Sequence, residues 1–240
     1  ISNEVLIPFL NLKDQPLANE LKDSKKNKTI NYPLILCYSK KSKILQLNTV
    51  INPTILFKKY LWVTNTSQTA RVYANTFFKF AKKYLNKKSQ ILEIAHNDGT
   101  FLNKFASKGY FSVGVDPAKN ILKKNAEFIN ENYFFSDKVA KKLVKKYNKF
   151  DFVYARNVIP HVEKINEVVK GINISLKAKG IGCIEFHYLG EIIKKLQYDS
   201  IYHEHLYYFS IRTISILLKK HGLIPFDIKK SPISGGSFVI

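Results

Sequence analysis

The chain has 240 residues, 45% of them hydrophobic, which is enough to bury the core of one large domain with or without an appendage. It contains neither an apolar run long enough to span a bilayer nor a signal-peptide pattern at its start, which argues against membrane and secreted proteins and predicts a cytoplasmic location. A net charge of +21 would be typical of a nucleic-acid-binding protein, but almost all of the positive charge comes from lysines spread along the chain. Base recognition and bidentate phosphate binding favour arginine, so we interpret the lysines as a solvated surface.

The first 50 residues predict a small, irregular N-terminal appendage. Prolines and a lysine-rich polar link at 22–31 separate short apolar pieces, which indicate small strands at 5–6, 34–36 and 44–47. Residues 51–88 predict a helical linker or lid, because apolar side chains recur at helical spacing over 56–62 and 70–85.

From residue 89 to residue 240, apolar strands alternate with helices. Strands are predicted at 91–95, 112–116, 133–135, 150–156 and 182–186, with closing strands at 225–229 and 237–240. Helices are predicted at 100–108, 118–125, 137–147, 165–176 and 211–221. Strands this apolar are buried on both faces, which predicts an α/β fold with a mostly parallel sheet covered by helices. Since the sequence has no methionine and ends in a strand, we expect it to be a piece of a longer protein.

The stretch from Ile91 to Thr100 predicts a site for an adenosine-type ligand. An apolar strand runs into a small-residue turn with Gly99, the turn opens a helix, and the next strand ends in Asp116. Such a turn lets a ligand approach the backbone, and an acid about 20 residues on can accept hydrogen bonds from ribose hydroxyls. One glycine, where dinucleotide sites have three, argues against a pyrophosphate and favours S-adenosylmethionine. A purely structural strand–turn–helix unit remains the alternative.

Polar side chains gather at the predicted carboxyl ends of these strands, where open α/β sheets bind ligands. They are His96, Asn97, Asp98, Asp116, Arg156, Asn157, His161, Glu185 and His187. Ribose binding is the favoured role for Asp116. Helix capping by Asp98, a turn role for Asn157 and a surface position for His161 stay open as alternatives.

The second dense polar cluster runs from Tyr198 to Tyr208 and includes His203, Glu204 and His205. The two histidines are two residues apart, which points them to different sides of a helix, and the HExxH zinc spacing is absent, so we predict no metal here. A polar aromatic loop packed over the sheet is one interpretation. An acid/base cluster is the favoured one, because imidazole titrates near neutral pH, a carboxylate can orient it, and a phenol can stabilise an oxyanion.

Taken together, these segments resemble the sugar C-methyltransferases, S-adenosylmethionine enzymes that methylate a carbon of nucleotide-linked 4-keto-deoxysugars. The matching segments are 15–19, 32–34 with 45–47, 93–99, 157–162, 185–186, 202–205 and 235–237. The Tyr202-His203-Glu204-His205 block, in order with the others, is the most specific of them.

The resemblance implies a Rossmann-like class I methyltransferase fold over residues 89–240 and S-adenosylmethionine as the cofactor. It implies cofactor contacts by Glu93, Ala95, Asn97, Asp98, Gly99, Asp116, Pro117 and Asn157. Methyl transfer to a carbon beside the ketone would pass through an enolate, with His205 as the base, Glu204 orienting it, and Tyr202 and His161 stabilising the enolate oxygen. Tyr60, Glu185 and His187 are expected to contact the sugar.

The sequence departs from the family pattern in the N-terminal zinc module. The second cysteine pair of that module falls on Ser39 and Ser42, and the first pair would lie upstream of Ile1, so we expect a degenerate remnant at 1–50 without the family zinc. The histidine expected two residues after Phe186 is displaced to His187, and we expect the family's C-terminal nucleotide-sugar-binding domain to be missing from this piece. A methyltransferase for another acceptor, nucleic acid included, and a non-catalytic remnant remain the alternatives.

Overall fold

The N-terminal part of the chain forms an antiparallel sheet. The computed structural model describes residues 5–21, 29–57, 61–121 and 126–240. Within it, β1 (Leu6–Pro16) and β2 (Asn31–Ser39) form a long hairpin, and β3 (Leu45–Leu47) pairs with β2. The strands predicted at 5–6, 34–36 and 44–47 overlap β1, β2 and β3, but β1 and β2 are longer than predicted and form a regular sheet where an irregular appendage was expected. The hairpin lacks a clear alternating pattern, because most side chains of β1 are exposed and its register is interrupted by bulges.

Two helices connect this sheet to the rest of the chain. They are α1 (Pro53–Phe57) and α2 (Gln68–Ala81), and α2 continues into a 3₁₀ turn at Lys82–Tyr84. Ser67 begins α2 by accepting a hydrogen bond from the Ala70 N–H. The predicted helix over 56–62 begins earlier and has ended by residue 61, and residues 58–60 lie outside the described part of the chain.

A seven-stranded sheet follows. Its five parallel strands are β4 (Gln90–Ile94), β5 (Phe111–Val115), β6 (Ile129–Glu131), β7 (Phe150–Arg156) and β8 (Leu176–His187). The helices between them are α3 (Leu102–Ala106), α4 (Asp137–Tyr147) and α5 (Ile165–Ser175). These elements confirm the predicted alternation, and the parallel pairing confirms the α/β class.

The rest of the chain completes both sheets. The remaining elements are α6 (Leu189–Lys194), β9 (Tyr207–Tyr208), α7 (Ile211–Lys220), β10 (Lys229–Ser231) and β11 (Ser237–Val239). The β9 strand pairs with β3 and closes the N-terminal sheet, whereas β11 lies antiparallel between β8 and β10 in the larger sheet. The larger sheet has the strand order β10-β11-β8-β7-β4-β5-β6. The order reverses between β4 and β7, which opens a crevice at their carboxyl ends.

Helices pack on both faces of the larger sheet. On one face α4, α5 and α7 contribute Leu143, Val169 and Ile214 to the core, and on the other α2 and α3 contribute Phe77 and Phe105. Helix α2 precedes the domain boundary predicted at residue 89, yet it packs on the core that follows that boundary. The division of the chain into three domains stays a prediction. Among the described helices, none combines the length and the apolar character needed to cross a membrane.

Three predicted elements of this domain were misplaced. The strand expected at 133–135 is β6 at 129–131, because Ile129 pairs with Val113 and the following aromatic residues turn away to pack on the core and line a cavity. Residues 118–121 are not helical, and residues 122–125 of that predicted helix lie outside the described ranges. The strand expected at 225–229 is β10, four residues later at its start.

Candidate active site

A cavity of about 1040 Å³ opens at the carboxyl ends of β4, β5, β7 and β8. This is the crevice where open α/β sheets bind their ligands, and its size suits a small molecule together with a second substrate. Part of its wall comes from the strand ends, and part from segments that precede α2 or follow β7 and α6. The wall residues with polar or aromatic side chains that matter below are Glu93, Asn97, Asp116, Arg156, Asn157, His161, His187, Trp62, Thr64, Tyr202 and His205.

The turn after β4 is made by three residues with left-handed backbone. Ala95 has φ 54°, Asn97 has φ 57° and Gly99 has φ 78°. A side chain on Gly99 would collide with Phe128, since its Cβ would lie 2.3 Å from that ring. Because every second residue of this turn is left-handed, the chain folds tightly between β4 and α3, and residues 94–97 line the cavity. The predicted small-residue turn is therefore present.

Asp116 joins this turn to the end of β5. Its Oδ2 accepts the Asn97 N–H at 2.9 Å, and its Oδ1 accepts the Ala118 N–H at 2.8 Å. The carboxyl group is buried, and burial raises its pKa above the usual range. Each oxygen retains a second acceptor site, so a ribose hydroxyl can still be bound from the cavity. Pro117 lies beside it on the cavity wall.

His96 and Asp98 have their side chains in structural contacts. The His96 Nε2 lies 2.7 Å from the Asn130 Oδ1, and its ring packs edge-on against Phe128 in the space above Gly114. Asp98 is fully buried and its Oδ1 accepts the Thr100 N–H at 3.0 Å, a bond within the turn. It does not cap α3 as the sequence had allowed, because the N-cap position of that helix is Phe101 and no side chain caps it.

Glu93 and Arg156 form the floor of the cavity together with buried partners. Tyr154 donates a hydrogen bond to the Glu93 Oε2 at 2.8 Å, and burial raises the pKa of Glu93 to about 8, so the free protein keeps this carboxyl largely protonated at neutral pH. The Arg156 guanidinium lies 3.1 Å above the centre of the Phe101 ring. Sequence reasoning missed this stacking, because the two residues are distant in the chain.

Glu185 was expected to contact the substrate, and its surroundings do not support that role. It is completely buried, its Oε2 lies 2.9 Å from the Arg156 Nε, and its Oε1 accepts a hydrogen bond from Ser231. Its backbone carbonyl also accepts the Asn157 N–H at 2.9 Å, and Asn157 has a left-handed φ of 50°. Glu185 therefore orients Arg156 and the turn after β7 from behind the cavity wall.

Three histidines meet on the other side of the cavity. The ring centre of His205 lies 4.7 Å from that of His161 and 6.4 Å from that of His187. Burial lowers the pKa of His161 to about 4 and the pKa of His205 well below its ordinary value, with further lowering of the latter by His161 and His187. Burial also lowers the pKa of His187, whose Nε2 lies 3.1 Å from the Gln197 Oε1. All three rings are neutral near pH 7.

The hydrogen bonds of His205 define which of its nitrogens carries the proton. Its Nδ1 lies 2.8 Å from the carbonyl oxygen of Ser200, so Nδ1 must be the donor. Its Nε2 is therefore the acceptor, and it faces the Tyr202 hydroxyl at 3.0 Å. This pairing puts the lone pair of a neutral imidazole beside the cavity, next to a phenol that can donate.

Glu204 does not orient His205, which corrects the sequence-based prediction. Its Oε1 accepts a hydrogen bond from the Asn19 side chain at 2.5 Å, and the neighbouring His203 Nε2 lies 3.1 Å from the carbonyl oxygen of Tyr32. Both side chains therefore fasten the loop before β9 to the N-terminal region, His203 to β2 and Glu204 to the turn after β1. The actual orienting group is the Ser200 carbonyl, which no sequence pattern could reveal because every residue has one. Tyr60 lies outside the described residues.

The N-terminal sheet has serines where the resembling family has zinc cysteines. The Ser42 N–H donates to the Ser39 Oγ at 3.2 Å in the turn between β2 and β3. Within the described ranges, no three His, Cys, Asp or Glu side chains come close enough together to bind a metal ion.

Comparison with known proteins places the chain in a family. Residues 66–224 match the family model described as a methyltransferase domain. The chain belongs to the methyltransferase domain family. Over 234 residues this methyltransferase domain protein is 29% identical to the C-methyltransferase NovU of Streptomyces niveus, and the match covers 94% of this chain and 55% of that protein. The chain thus spans about half the length of this curated relative.

Solved structures share the Rossmann-like methyltransferase fold. A SAM-dependent methyltransferase from Archaeoglobus fulgidus has a TM-score of 0.54 at 19% identity, covering 67% of this chain and 72% of that chain. The PH0226 protein from Pyrococcus horikoshii OT3 has the same TM-score at 21% identity, covering 80% and 97% of the two chains. Magnesium protoporphyrin IX methyltransferase from Synechocystis PCC 6803, solved with bound SAH, has a TM-score of 0.51 at 12% identity over 70% and 80%.

Proposed function

We propose that the chain transfers a methyl group from S-adenosylmethionine to a carbon atom beside the ketone of a nucleotide-linked 4-keto-deoxysugar. The observation that carries this proposal is the Tyr202–His205 pair, which faces the same cavity as the turn after β4. Methylation of a carbon next to a ketone needs a base and an oxyanion donor, since the C–H proton must be removed to form the enolate.

The cofactor would occupy the half of the cavity formed by Glu93–Gly99 and Asp116–Ala118, the cofactor half. Asp116 would accept hydrogen bonds from the ribose hydroxyls, and the left-handed backbone at Ala95 and Asn97 would allow close approach of the adenosyl group. Glu93 would face the positively charged end of the cofactor, which favours its ionised form. When bound, S-adenosylmethionine supplies a methyl group already activated by its sulfonium.

The acceptor would occupy the half formed by His161, His187, Tyr202 and His205, the acceptor half. In the free protein the Tyr202 hydroxyl donates to the His205 Nε2, and it would turn to the ketone oxygen when the acceptor binds. His205 then accepts the proton from the carbon next to the ketone at Nε2, while its Nδ1–H stays bonded to the Ser200 carbonyl. The electron pair of the broken C–H bond moves into the enolate, whose oxygen is stabilised by the Tyr202 hydroxyl and by His161. With S-adenosylmethionine bound, the enolate carbon would be the nucleophile that takes the methyl group, and S-adenosylhomocysteine would leave with the electron pair of the C–S bond.

The low pKa values of the histidines fit this chemistry. A buried imidazole is a weak base in the free protein, because its charged form is disfavoured. The enolate that forms beside it is negative, so proton transfer creates an ion pair in a site of low polarity, and that pair offsets the burial penalty. His161, with its pKa near 4, stays neutral and adds no competing positive charge.

The nature of the acceptor rests on similarity. The chain resembles C-methyltransferases along nearly its whole length, including the Tyr202–His205 block, and it is 29% identical to a C-methyltransferase. This supports carbon as the methylated atom and a sugar-type acceptor.

The proposal is tested with a nucleotide-linked 4-keto-6-deoxyhexose. In D₂O with S-adenosylhomocysteine present, we expect NMR to show exchange of the proton next to the ketone, because the base works without methyl transfer. With S-adenosyl-[methyl-¹³C]methionine, the labelled methyl should appear as a carbon-bound signal. A methoxy signal, or no exchange by a protein that binds the cofactor, would contradict the proposed acceptor chemistry. Methylation of added RNA or DNA would support the alternative acceptor.

A further inference from the structure

Asn97 lines the cavity, and its side chain is also hydrogen-bonded to another segment of the protein. Its Oδ1 accepts hydrogen bonds from the Thr64 N–H at 2.9 Å and from the Thr64 hydroxyl at 3.0 Å, and its Nδ2 donates to the Trp62 carbonyl at 2.9 Å. One amide therefore makes three bonds to a segment that lies more than thirty residues earlier in the chain.

The neighbouring residue extends this connection. The Asn65 N–H donates to the Asp98 Oδ2 at 3.2 Å, and the Asn65 carbonyl accepts from Arg71 at 2.5 Å. Residues 62–65, which we call the wall segment, are thus bonded to the turn on one side and to α2 on the other. Trp62 and Thr64 line the cavity, as Asn97 does.

The conformation of Asn97 shows that the turn alone does not require its amide. The residue is left-handed with φ 57°, a conformation that glycine adopts without cost and that asparagine tolerates. A glycine would serve the turn equally well and would let a ligand approach more closely. What asparagine adds at this position is the set of bonds to Trp62 and Thr64.

We propose that Asn97 is a positioning residue, which fixes the wall segment against the cofactor turn and so shapes the site for S-adenosylmethionine. Its effect on cofactor affinity rests on the proposed function. The hydrogen bonds themselves are a property of the free protein. Without them, the Asn65–Asp98 bond would be the one described hydrogen bond left between the wall segment and the turn, and the cofactor would have to order the segment on binding.

Trp62 provides a direct readout, because it is the only tryptophan in the chain and its side chain is 53% exposed. We expect Asn97→Gly to raise the acrylamide quenching constant of Trp62 in the free protein. Three lost hydrogen bonds, partly replaced by water, should raise the Kd for S-adenosylmethionine by roughly tenfold. Thr64→Val removes one of the three bonds and should shift both quantities in the same direction by a smaller amount.

Asn148→Gly is the matched control, because Asn148 is also an asparagine with left-handed backbone, φ 66°, and lies exposed at the C-terminal end of α4, outside the wall segment and the cofactor turn. It should change neither quantity. Equal quenching in Asn97→Gly and wild type would overturn the proposal. A raised Kd with unchanged quenching would also overturn it, since Asn97 would then act on the cofactor directly. Changed quenching with an unchanged Kd would overturn it as well, since the wall segment would then have no effect on cofactor binding.

The same experiment separates this proposal from the proposed function. A folded wild-type chain that does not bind S-adenosylmethionine would contradict the proposed function. The quenching comparison in the free protein would still decide whether Asn97 fixes the wall segment. Thermal unfolding of each variant, followed by circular dichroism, distinguishes a local change from a failure to fold.

Discussion

The cofactor half is formed by two stretches of chain, 93–99 and 116–118. The carboxylate oxygens of Asp116 accept one backbone N–H group from each of them, that of Asn97 and that of Ala118. In the acceptor half, His161, His187 and His205 come from three separate segments. The loop that carries His205 is fastened by Asn19 and Tyr32 of the N-terminal region. The first half is thus built from two successive strand ends, with the wall segment as its one distant contribution among the contacts described above, whereas the second depends on contacts between several distant parts of the chain.

Because the two halves are built differently, we expect substitutions in them to affect different properties of the protein. A change in the cofactor half should alter binding of the cofactor, because backbone geometry sets the shape there. A change in the acceptor half should alter proton transfer or the assembly of the loop. The following variants test that separation, beginning with the largest expected effect.

Removal of the base should separate the two halves most clearly. We expect His205→Ala to lower kcat by roughly 10²–10⁴-fold, because the proton next to the ketone loses its acceptor. The Kd for S-adenosylmethionine, measured by calorimetry, should stay close to that of the wild type. Normal turnover by this variant would remove His205 from the role of base, and a lost cofactor affinity would show that the two halves are not separable.

The reverse pattern is expected for Asp116→Ala. Loss of a carboxylate that binds ribose hydroxyls should raise the Kd for S-adenosylmethionine by about 10–100-fold, the range for hydrogen bonds to a charged group. Exchange of the sugar proton in D₂O should persist when the cofactor product is supplied at saturating concentration. An unchanged Kd would exclude Asp116 from the cofactor site.

The protonation of Glu93 should be visible in stability. Burial raises its pKa to about 8, so between pH 5 and pH 8 the native state keeps a proton that the unfolded chain releases. The unfolding free energy contributed by this group therefore falls as the pH rises through that window. We expect the Tm of Glu93→Gln to fall less than the wild-type Tm between pH 5 and pH 8. Parallel Tm curves would show that Glu93 is ionised in the native state.

The smallest effect is expected at the contact between the loop that carries His205 and the turn after β1. Asn19→Ala removes a donor from the buried Glu204 carboxyl and should lower the unfolding free energy by about 1–3 kcal/mol. Asn48→Ala is the control, because its exposed side chain bonds only locally, to Thr49 in the described structure. The Kd for S-adenosylmethionine should change in neither variant. A large change in Kd for Asn19→Ala would mean that the N-terminal region also shapes the cofactor half.

The same contrast explains what the sequence could predict. The stretch from Glu93 to Asp116 carries its own signals, since strand, turn and acid follow one another at fixed spacing, and the structure contains them. The strand expected at 133–135 was misplaced because its aromatic residues serve the core and the cavity. The orientation of His205 escaped prediction because it depends on a backbone carbonyl, and the role of Glu204 escaped because Asn19 is distant in the chain.

The pairing of β3 with β9 has a consequence for synthesis of the protein. Leu45 is paired with Tyr208, so the N-terminal sheet lacks its last strand until most of the chain has left the ribosome. In that interval the edge of β3 has unpaired backbone groups, which can pair with other nascent chains. Contacts between such distant residues also slow folding. The N-terminal sheet is therefore completed only after all five parallel strands of the larger sheet have been translated.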